Sequence, residues 1–106
     1  MCKVSIVVPM YNGEKTIGRC LDSLIVQKLK DIEIVVVDDG SSDDGGAVVR
    51  RYMEKDRRIK LLSQENAGNG VARNRGIREA VGKYVGFVDC DDFVDENMFF
   101  SMLQAV

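Results

Sequence analysis

Histidine is absent from the 106-residue sequence, so the commonest nitrogen ligand of zinc is missing. The three cysteines, Cys2, Cys20 and Cys90, are scattered and form no CxxC pair. An odd, scattered set of cysteines is typical of reduced thiols inside the cell. The sequence therefore disfavours a zinc site and predicts a cytoplasmic location.

Long apolar runs are also lacking. None approaches the length needed to cross a membrane, and the N-terminal run is too short for a signal peptide and is broken by Pro9. The 15 basic and 17 acidic residues are interspersed, and no basic stripe indicates a nucleic-acid partner. With 45% apolar and 30% charged residues, the composition is that of one soluble globular domain.

Segments of strand character alternate with segments of helical periodicity along the chain. Strands are predicted at 4–8, 32–37, 59–62 and 84–88, each followed by a helix. The predicted inward-facing residues of the four helices are, in turn, Ile17, Cys20, Leu21, Leu24, Ile25 and Leu29; Val48, Val49, Tyr52 and Met53; Val71, Ile77, Ala80 and Val81; and Met98, Phe99, Met102 and Leu103. The alternating order predicts an α/β fold with a mostly parallel sheet and helices on both faces.

Particular residues are predicted to begin and end these helices. Asn12 or a residue near it is a candidate to cap the first helix, and Asn69 to cap the third. Asp95 can begin the last helix, and Gly82 is predicted to end the third. On the third helix, the side chains of Arg75 and Arg78 are expected to face solvent.

Four polar loops follow the four strands, with the sequences PMYNG, DDGSSDD, QENAGNG and DCDDF. In open α/β sheets, ligands bind at the carboxyl ends of the strands, so these loops predict a binding site. Asp89, Asp91 and Asp92 then lie at its rim. Strand alternation places Asp89 and Asp91 on the same side, where two carboxylates repel each other unless a cation lies between them.

A hard divalent ion, Mg²⁺ or Mn²⁺, suits this set of oxygen ligands. Such ions take one or two protein carboxylates and complete their shell with water and phosphate oxygens. The loop therefore predicts a site for a metal and a diphosphate. On the residues alone, an equal alternative is that the three acids cap the following turn and helix.

Three long motifs, in order, resemble the N-terminal, donor-binding part of the family 2 nucleotide-sugar glycosyltransferases: VSIVVPMYNGEKTIGRCLDSLIVQ, IEIVVVDDGSSDD and NAGNGVARNRGIREAVGKYVGFVDCDD. The resemblance implies a Rossmann-like, A-type glycosyltransferase fold. It also implies inverting, metal-dependent transfer of a sugar from a nucleotide-diphosphate sugar to a hydroxyl of a saccharide or lipid-linked acceptor. Uridine is the favoured base. Asp91 matches the principal metal ligand of the family, and Asp89 the first acid of its D-x-D motif, near the ribose and sugar.

The resemblance assigns nucleotide contacts to the other loops. Tyr11, after Pro9, matches an aromatic residue that stacks on the base, with ordinary packing as the alternative. Asp39, with Asp38 in reserve, matches the acid that accepts a hydrogen bond from uracil N3–H; the alternative is a turn and helix cap. Arg73 is placed to pair with the diphosphate or the base in a fork geometry.

Two other classes fit part of the pattern. A phosphoacceptor receiver domain also has an acidic pocket and Mg²⁺, but its acid pair follows the first strand, where this chain has Pro9, Met10 and Tyr11. A non-catalytic nucleotide-binding or assembly module would bind the donor without turnover. Neither a phosphate-binding G-x-x-x-x-G-K-[ST] loop nor a dinucleotide fingerprint is present.

The resemblance also predicts what residues 1–106 lack. In the family, the catalytic base and the acceptor site follow the metal motif, whereas this sequence ends at Val106 in an apolar helical pattern. The chain is therefore expected to be the nucleotide-sugar-binding part of a longer enzyme and to be inactive alone. The full-length protein is expected in the cytoplasm, peripheral to the inner face of a membrane. An exposed apolar face with Phe99, Phe100, Met102 and Leu103 is predicted to drive self-association.

Overall fold

The structure, a computed structural model, describes residues 2–106. Its elements are β1 (Val4–Met10), α1 (Ile17–Ile25), β2 (Ile32–Asp39), α2 (Gly45–Lys55), β3 (Ile59–Gln64), α3 (Asn69–Glu79), β4 (Tyr84–Phe87) and α4 (Met98–Gln104). The strands form one parallel sheet in the order β3-β2-β1-β4. This confirms the predicted alternation and the parallel sheet.

The two central strands are almost wholly buried because helices cover both faces of the sheet. On one face, Ile6 and Val8 of β1 and Ile34 and Val36 of β2 join a core that includes α1, Val49 of α2 and Phe99 of α4. On the other face, Val7, Val35 and Val37 pack with Ala72 of α3. The side chains predicted to face inward from α1 lie in the first core or pack against it, as expected.

Helix α3 packs through its smallest residues, and the predicted inward face of this helix is wrong. Val71 and Ile77 are 48% and 46% exposed, whereas Ala72 and Gly76 are buried. A Cβ atom at Gly76 would collide with Cγ1 of Val7. The helix therefore lies close to β1, and its larger apolar side chains are left outside the contact.

A buried carboxylate, Glu33 of β2, fixes the turn after α3. It accepts hydrogen bonds from the Ser5 hydroxyl and from the Val81 N–H (2.7 Å), and its other oxygen lies 2.6 Å from Lys60 Nζ. The Gly82 N–H in turn donates to the Ser5 hydroxyl oxygen (2.8 Å). Burial by itself raises the pKa of Glu33, but the hydrogen bonds from Lys60, Ser5 and Val81 outweigh it and lower the pKa.

Three expectations for the helix ends and the arginines are corrected by the structure. Helix α3 ends at Glu79, before Gly82, and α4 begins at Met98 instead of near Asp95. Arg75 is half-buried because its guanidinium donates a hydrogen bond to the carbonyl of Ser63, whereas Arg78 is exposed as predicted.

The C-terminal helix covers part of the sheet beside β4. Phe99 was predicted both on the inner side of the last helix and on the exposed apolar face; it is only 3% exposed because it packs over Gly86, whereas Met102 is 52% exposed. Val88 lies just beyond β4, although its N–H still donates to the Val7 carbonyl (3.1 Å). Within residues 2–106, no helix is both long and apolar enough to span a membrane.

Candidate functional site

A cleft of about 490 Å³ opens at the carboxyl ends of the strands. Because the strands are parallel, the loops after β1, β2, β3 and β4 meet at this edge. The cleft wall includes five of the residues singled out in the sequence: Pro9, Tyr11, Asp39, Asp89 and Asp91. A cleft therefore lies at the edge where the polar loops predict a binding site.

Three acidic side chains meet in the turn after β4. Carboxylate oxygens of Asp89, Asp91 and Asp92 all lie within 4.8 Å of one another, and all three residues are exposed. The Asp92 N–H donates to the Asp89 carbonyl (3.0 Å), which closes the turn. The strand ends at Phe87, so this turn, rather than the predicted strand alternation, brings the acids together and adds Asp92 to the set.

The chemistry of this acidic turn fits a hard divalent cation. All three nearby donors are carboxylates, the ligand type that Mg²⁺ and Mn²⁺ prefer. Cys90 lies between Asp89 and Asp91 in the sequence. Burial raises the pKa of its thiol above the ordinary value, so at neutral pH the thiol is protonated and is a poor metal ligand. An uncompensated trio of carboxylates at this spacing is repulsive, and a cation bound there would relieve the repulsion.

Arg73 lies beside the acidic turn. Its Nη2 atom is 3.8 Å from Oδ1 of Asp89, and its guanidinium lies 5.6 Å from the centre of the Phe87 ring. Both members of the ion pair are about half exposed, so water screens the pair and it is weak. The guanidinium donors therefore remain available to an anionic ligand.

Asp39 is 4% exposed and holds the loop between β3 and α3. Its carboxylate accepts hydrogen bonds from Gln64 Nε2 (2.9 Å) and from the N–H groups of Ala67 (2.8 Å) and Gly68 (3.0 Å). Burial alone raises the pKa of this carboxyl, but the three hydrogen bonds outweigh burial and lower the pKa below its ordinary value. A positive φ of 101° at Gly68 lets the loop turn into α3.

Asp38, the reserve candidate for the base contact, lies outside the cleft wall. Its Oδ1 atom accepts a hydrogen bond from the Ser41 N–H (3.0 Å), and its Oδ2 atom lies near Gly46 of α2. Asp38 therefore stabilises the turn that follows β2. Of the two neighbouring acids, the structure brings only Asp39 to the cleft.

Asn12 was not among the predicted binding residues, yet it fixes the loop that carries Tyr11. Its backbone N–H donates to the Ser41 hydroxyl oxygen (2.9 Å), and its side-chain oxygen accepts from the Ser42 N–H (2.8 Å). Its φ of 52° is a conformation that asparagine tolerates better than most residues. The signal for this role in the sequence is the asparagine directly after Tyr11, since asparagine is common in tight loops. Thr16, and not Asn12, occupies the capping position of α1, for which the sequence predicted Asn12 or a residue near it.

Asn69 is a second residue whose role differs from the prediction. Gly68 precedes α3 at the capping position, and Asn69 lies in the wall of the cleft. The first turn of α3 is therefore part of the site. Asn69 lines the same cleft as Tyr11 and Asp91.

Replacing Asp39 by asparagine is expected to destabilise the protein in a pH-dependent way. The substitution takes away the charged acceptor of the Ala67 and Gly68 N–H groups, which costs about 1–3 kcal/mol at neutral pH. Because folding lowers the pKa of Asp39 from 3.8, its contribution is present above that pH and is lost as the pH falls through the folded value. Urea unfolding of both proteins between pH 7 and pH 3 measures the difference. A difference that does not shrink with falling pH would contradict this role.

The four-stranded parallel sheet with its strand order matches the A-type, Rossmann-like glycosyltransferase fold, which is also the fold of the solved structures of similar chains. S. aureus TarS, residues 1–349 in complex with UDP, superposes with a TM-score of 0.89 at 36% identity, over 96% of this chain and 31% of that one. The mannosyltransferase PcManGT of Pyrobaculum calidifontis, solved with GDP-Man and Mn²⁺, gives 0.81 at 32% identity, over 86% and 28%.

The chain belongs to glycosyl transferase family 2, whose family model matches residues 5–106. Among curated relatives, the uncharacterized glycosyltransferase EpsJ of Bacillus subtilis is 51% identical over 91% of this chain and 28% of EpsJ. This chain thus spans less than a third of the length of EpsJ. The predicted family and fold are confirmed, and the receiver-domain alternative is wrong.

Proposed function

We propose that this chain forms the donor site of an inverting, metal-dependent glycosyltransferase that transfers a sugar from a nucleotide-diphosphate sugar to an acceptor hydroxyl. The observation that carries the proposal is the meeting of Tyr11, Asp39 and the acidic turn in one cleft. The complexes of TarS with UDP and UDP-GlcNAc, and of PcManGT with GDP-Man and Mn²⁺, support a donor of this class.

The nucleotide half of the cleft suits a uridine. Tyr11 is 53% exposed, so its ring has a face available for stacking on a base. An ionised carboxylate offers about four acceptor positions. Asp39 uses three of them within the protein, which leaves one for the imide N3–H of a uracil. The backbone donors to Asp39 also fix the direction of its carboxylate.

The diphosphate half is formed by the turn after β4 and by Arg73. Asp91 and Asp89 would hold a Mg²⁺ or Mn²⁺ ion, which when bound neutralises the charge of the diphosphate leaving group. Arg73 sits next to Asp89 and would pair with phosphate oxygens through its planar fork of donors. Pro9, which is buried at the base of the cleft, keeps the start of the Tyr11 loop rigid.

Acceptor activation requires a general base within hydrogen-bond reach of the attacking hydroxyl. The acids placed above are engaged with the loops or belong to the metal-type turn. We therefore assign the base and the saccharide or lipid-linked acceptor site to the part of the enzyme outside residues 1–106, and residues 1–106 alone are expected to bind the donor without transferring the sugar.

Calorimetric titration with UDP, GDP and dTDP, each with Mn²⁺ and with a chelator, tests the proposal. UDP is expected to bind most tightly, and only weakly in the chelator, because the diphosphate would then face the acidic turn unshielded. Equal UDP affinity in manganese and in chelator would overturn the metal-dependent site. Preference for another nucleotide would overturn the assignment of uridine while leaving the rest intact.

Tyr11→Ala is expected to weaken UDP binding by about 1–3 kcal/mol, the size of a stacking contact, and to leave pyrophosphate binding nearly unchanged. The matched control is Tyr84→Ala, since Tyr84 is also partly exposed but lies on β4, away from the cleft wall. The same titrations measure both variants. Equal losses for UDP and pyrophosphate would mean that Tyr11 only shapes its loop.

A further inference from the structure

The segment between the acidic turn and α4 is bound by side chains of α1 and of the residues just after it. Residues 93–97 form neither a helix nor a strand, so no regular ladder of backbone hydrogen bonds fixes them. The Val94 N–H donates to the Ser23 hydroxyl oxygen (3.2 Å), and Gln27 Nε2 donates to the Asp95 carbonyl (2.7 Å). Two polar side chains therefore hold the chain directly after the acidic turn.

Gln27 is fully buried two residues beyond the end of α1, and all of its side-chain amide is engaged. Besides the bond to Asp95, its Nε2 atom donates to the Ser23 carbonyl (3.1 Å), and its Oε1 atom accepts from the Phe99 N–H (3.2 Å). One amide thus joins the last turn of α1 to the segment before α4 and to the first turn of α4. An apolar side chain could make none of these bonds, which accounts for a polar residue at a fully buried position.

Two further contacts bring α1 to the acidic turn itself. The Cys20 thiol donates a weak hydrogen bond to the Asp89 carbonyl (3.7 Å). The Arg19 guanidinium lies 3.6 Å from the centre of the ring of Phe93, the first residue after the acidic turn. The contacts with α1 therefore run from the first acid of the turn to the start of α4.

We propose that Ser23 and Gln27 are positioning residues for the metal. They hold the chain after the acidic turn against α1, and this fixes the separation of the three carboxylates. The inference rests on the proposed metal-dependent donor site.

The physical reason is that the acidic turn needs support at both of its ends. Its three carboxylates are exposed and repel one another, so a turn held at one end only would open and separate them. Strand β4 holds the first end, where the Val88 N–H donates to the Val7 carbonyl (3.1 Å). Ser23 and Gln27 hold the second. A turn fixed at both ends keeps its ligands close together before the ion arrives, so binding orders less of the chain.

This role predicts a selective effect on the ion. Neither Ser23 nor Gln27 lines the cleft, so both act on the ion only through the backbone of the turn. Tyr11 and Asp39, which are assigned to the base, lie on the loops after β1 and β2. Loss of Ser23 or Gln27 should therefore weaken Mn²⁺ binding and leave the metal-free affinity for UDP unchanged.

Ser23→Ala tests the inference, because it removes the acceptor of the Val94 N–H. Mn²⁺ is titrated into the protein in the presence of UDP, and free Mn²⁺ is followed by its electron paramagnetic resonance signal. The Mn²⁺ dissociation constant is expected to rise about tenfold, the lower end of the 10–100-fold loss found for outer partners of metal ligands. UDP affinity in chelator should not change, and Ser23→Thr, which keeps the hydroxyl, should retain the Mn²⁺ affinity of the unmodified chain.

Gln27→Met is the second variant, since methionine is similar in size but makes none of the three bonds. Its Mn²⁺ dissociation constant is expected to rise further, by about 10²-fold. Circular dichroism checks that this variant folds. Ser23→Ala, which removes only a hydroxyl group, decides the question independently.

Tyr52→Phe is the matched control, because it also removes a hydroxyl group bonded to α1 but on the side that faces α2. The Tyr52 hydroxyl donates to the Gly18 carbonyl (3.1 Å). This variant should unfold at a lower urea concentration and keep its Mn²⁺ affinity. Unchanged Mn²⁺ affinity in Ser23→Ala, or an equal loss in Tyr52→Phe, would overturn the positioning role.

The unmodified chain separates failure of the inference from failure of the proposed function. If its UDP affinity depends on Mn²⁺ and Ser23→Ala behaves identically, only the positioning role is wrong. If its UDP affinity is the same in Mn²⁺ and in chelator, the metal-dependent donor site is wrong, and the positioning role falls with it.

Discussion

Gly76→Ala is expected to lower the free energy of unfolding by about 1–3 kcal/mol, the cost of overpacking a well-packed core. The added Cβ atom would collide with Cγ1 of Val7, a buried residue in the centre of the sheet. Relief requires α3 to move away from β1, which also moves Arg73 relative to the acidic turn. Urea unfolding followed by circular dichroism measures the effect.

The control for this substitution is in the same helix. A Cβ atom at Gly70 would meet nothing within 4 Å, so Gly70→Ala adds a methyl group in open space. Alanine is the better helix former, and this variant should be more stable by roughly 0.5–1 kcal/mol. Effects of the same sign at both positions would show that helix propensity, and not the approach of α3 to the sheet, determines the outcome.

Asp91→Asn is expected to remove most of the Mn²⁺-dependent part of UDP affinity, by about 10²-fold or more, since loss of an outer partner of a metal ligand alone costs 10–100-fold. The substitution keeps the shape of an exposed side chain, so the fold should persist. Calorimetry with UDP in Mn²⁺ and in chelator measures the increment.

Asp95→Asn provides the matched control for the metal site. Asp95 is an exposed acid close in sequence to the acidic turn but outside its cluster, and an asparagine there can still accept the hydrogen bond from the Asn97 N–H. UDP binding to this variant should keep its Mn²⁺ dependence. A loss of similar size in both variants would point to general electrostatics instead of a metal ligand.

The strands were predictable because their signal is strong and local. Runs of β-branched residues such as Val4–Val8 and Ile32–Val37 occupy the centre of the sheet in the structure. Helix α3 was predicted with the wrong face because it packs where side chains are small. Periodicity of large apolar residues selects Val71 and Ile77, but the contact with β1 is made at Ala72 and Gly76.

The candidate site was predictable in its residues but less so in its contacts. The motif resemblance pointed to Asp39, and strand topology pointed to the edge where it lies. Its hydrogen bonds with the N–H groups of Ala67 and Gly68 were not predictable, since every residue except proline carries such a donor. The clustering of Asp92 with its neighbours depends on a turn that replaces the end of a strand.

Two carboxylates of β2 hold α3 at its two ends. Asp39 binds the loop before the helix, and Glu33 binds the turn after it, six strand positions away. Six strand residues span about 20 Å, and the eleven residues of α3 span about 16 Å. The helix is therefore slightly shorter than the distance between the two carboxylates, and the loop before it and the turn after it span the remainder. The distance between Glu33 and Asp39 on β2 thus sets the length of helix that fits between their hydrogen-bonding partners. Substitutions on the outer surface of α3 leave this match of lengths intact. One residue inserted into the helix would rotate the part that follows it by about 100° relative to the part before it. Either Arg73 would then turn away from Asp89, or Gly76 would turn away from Val7.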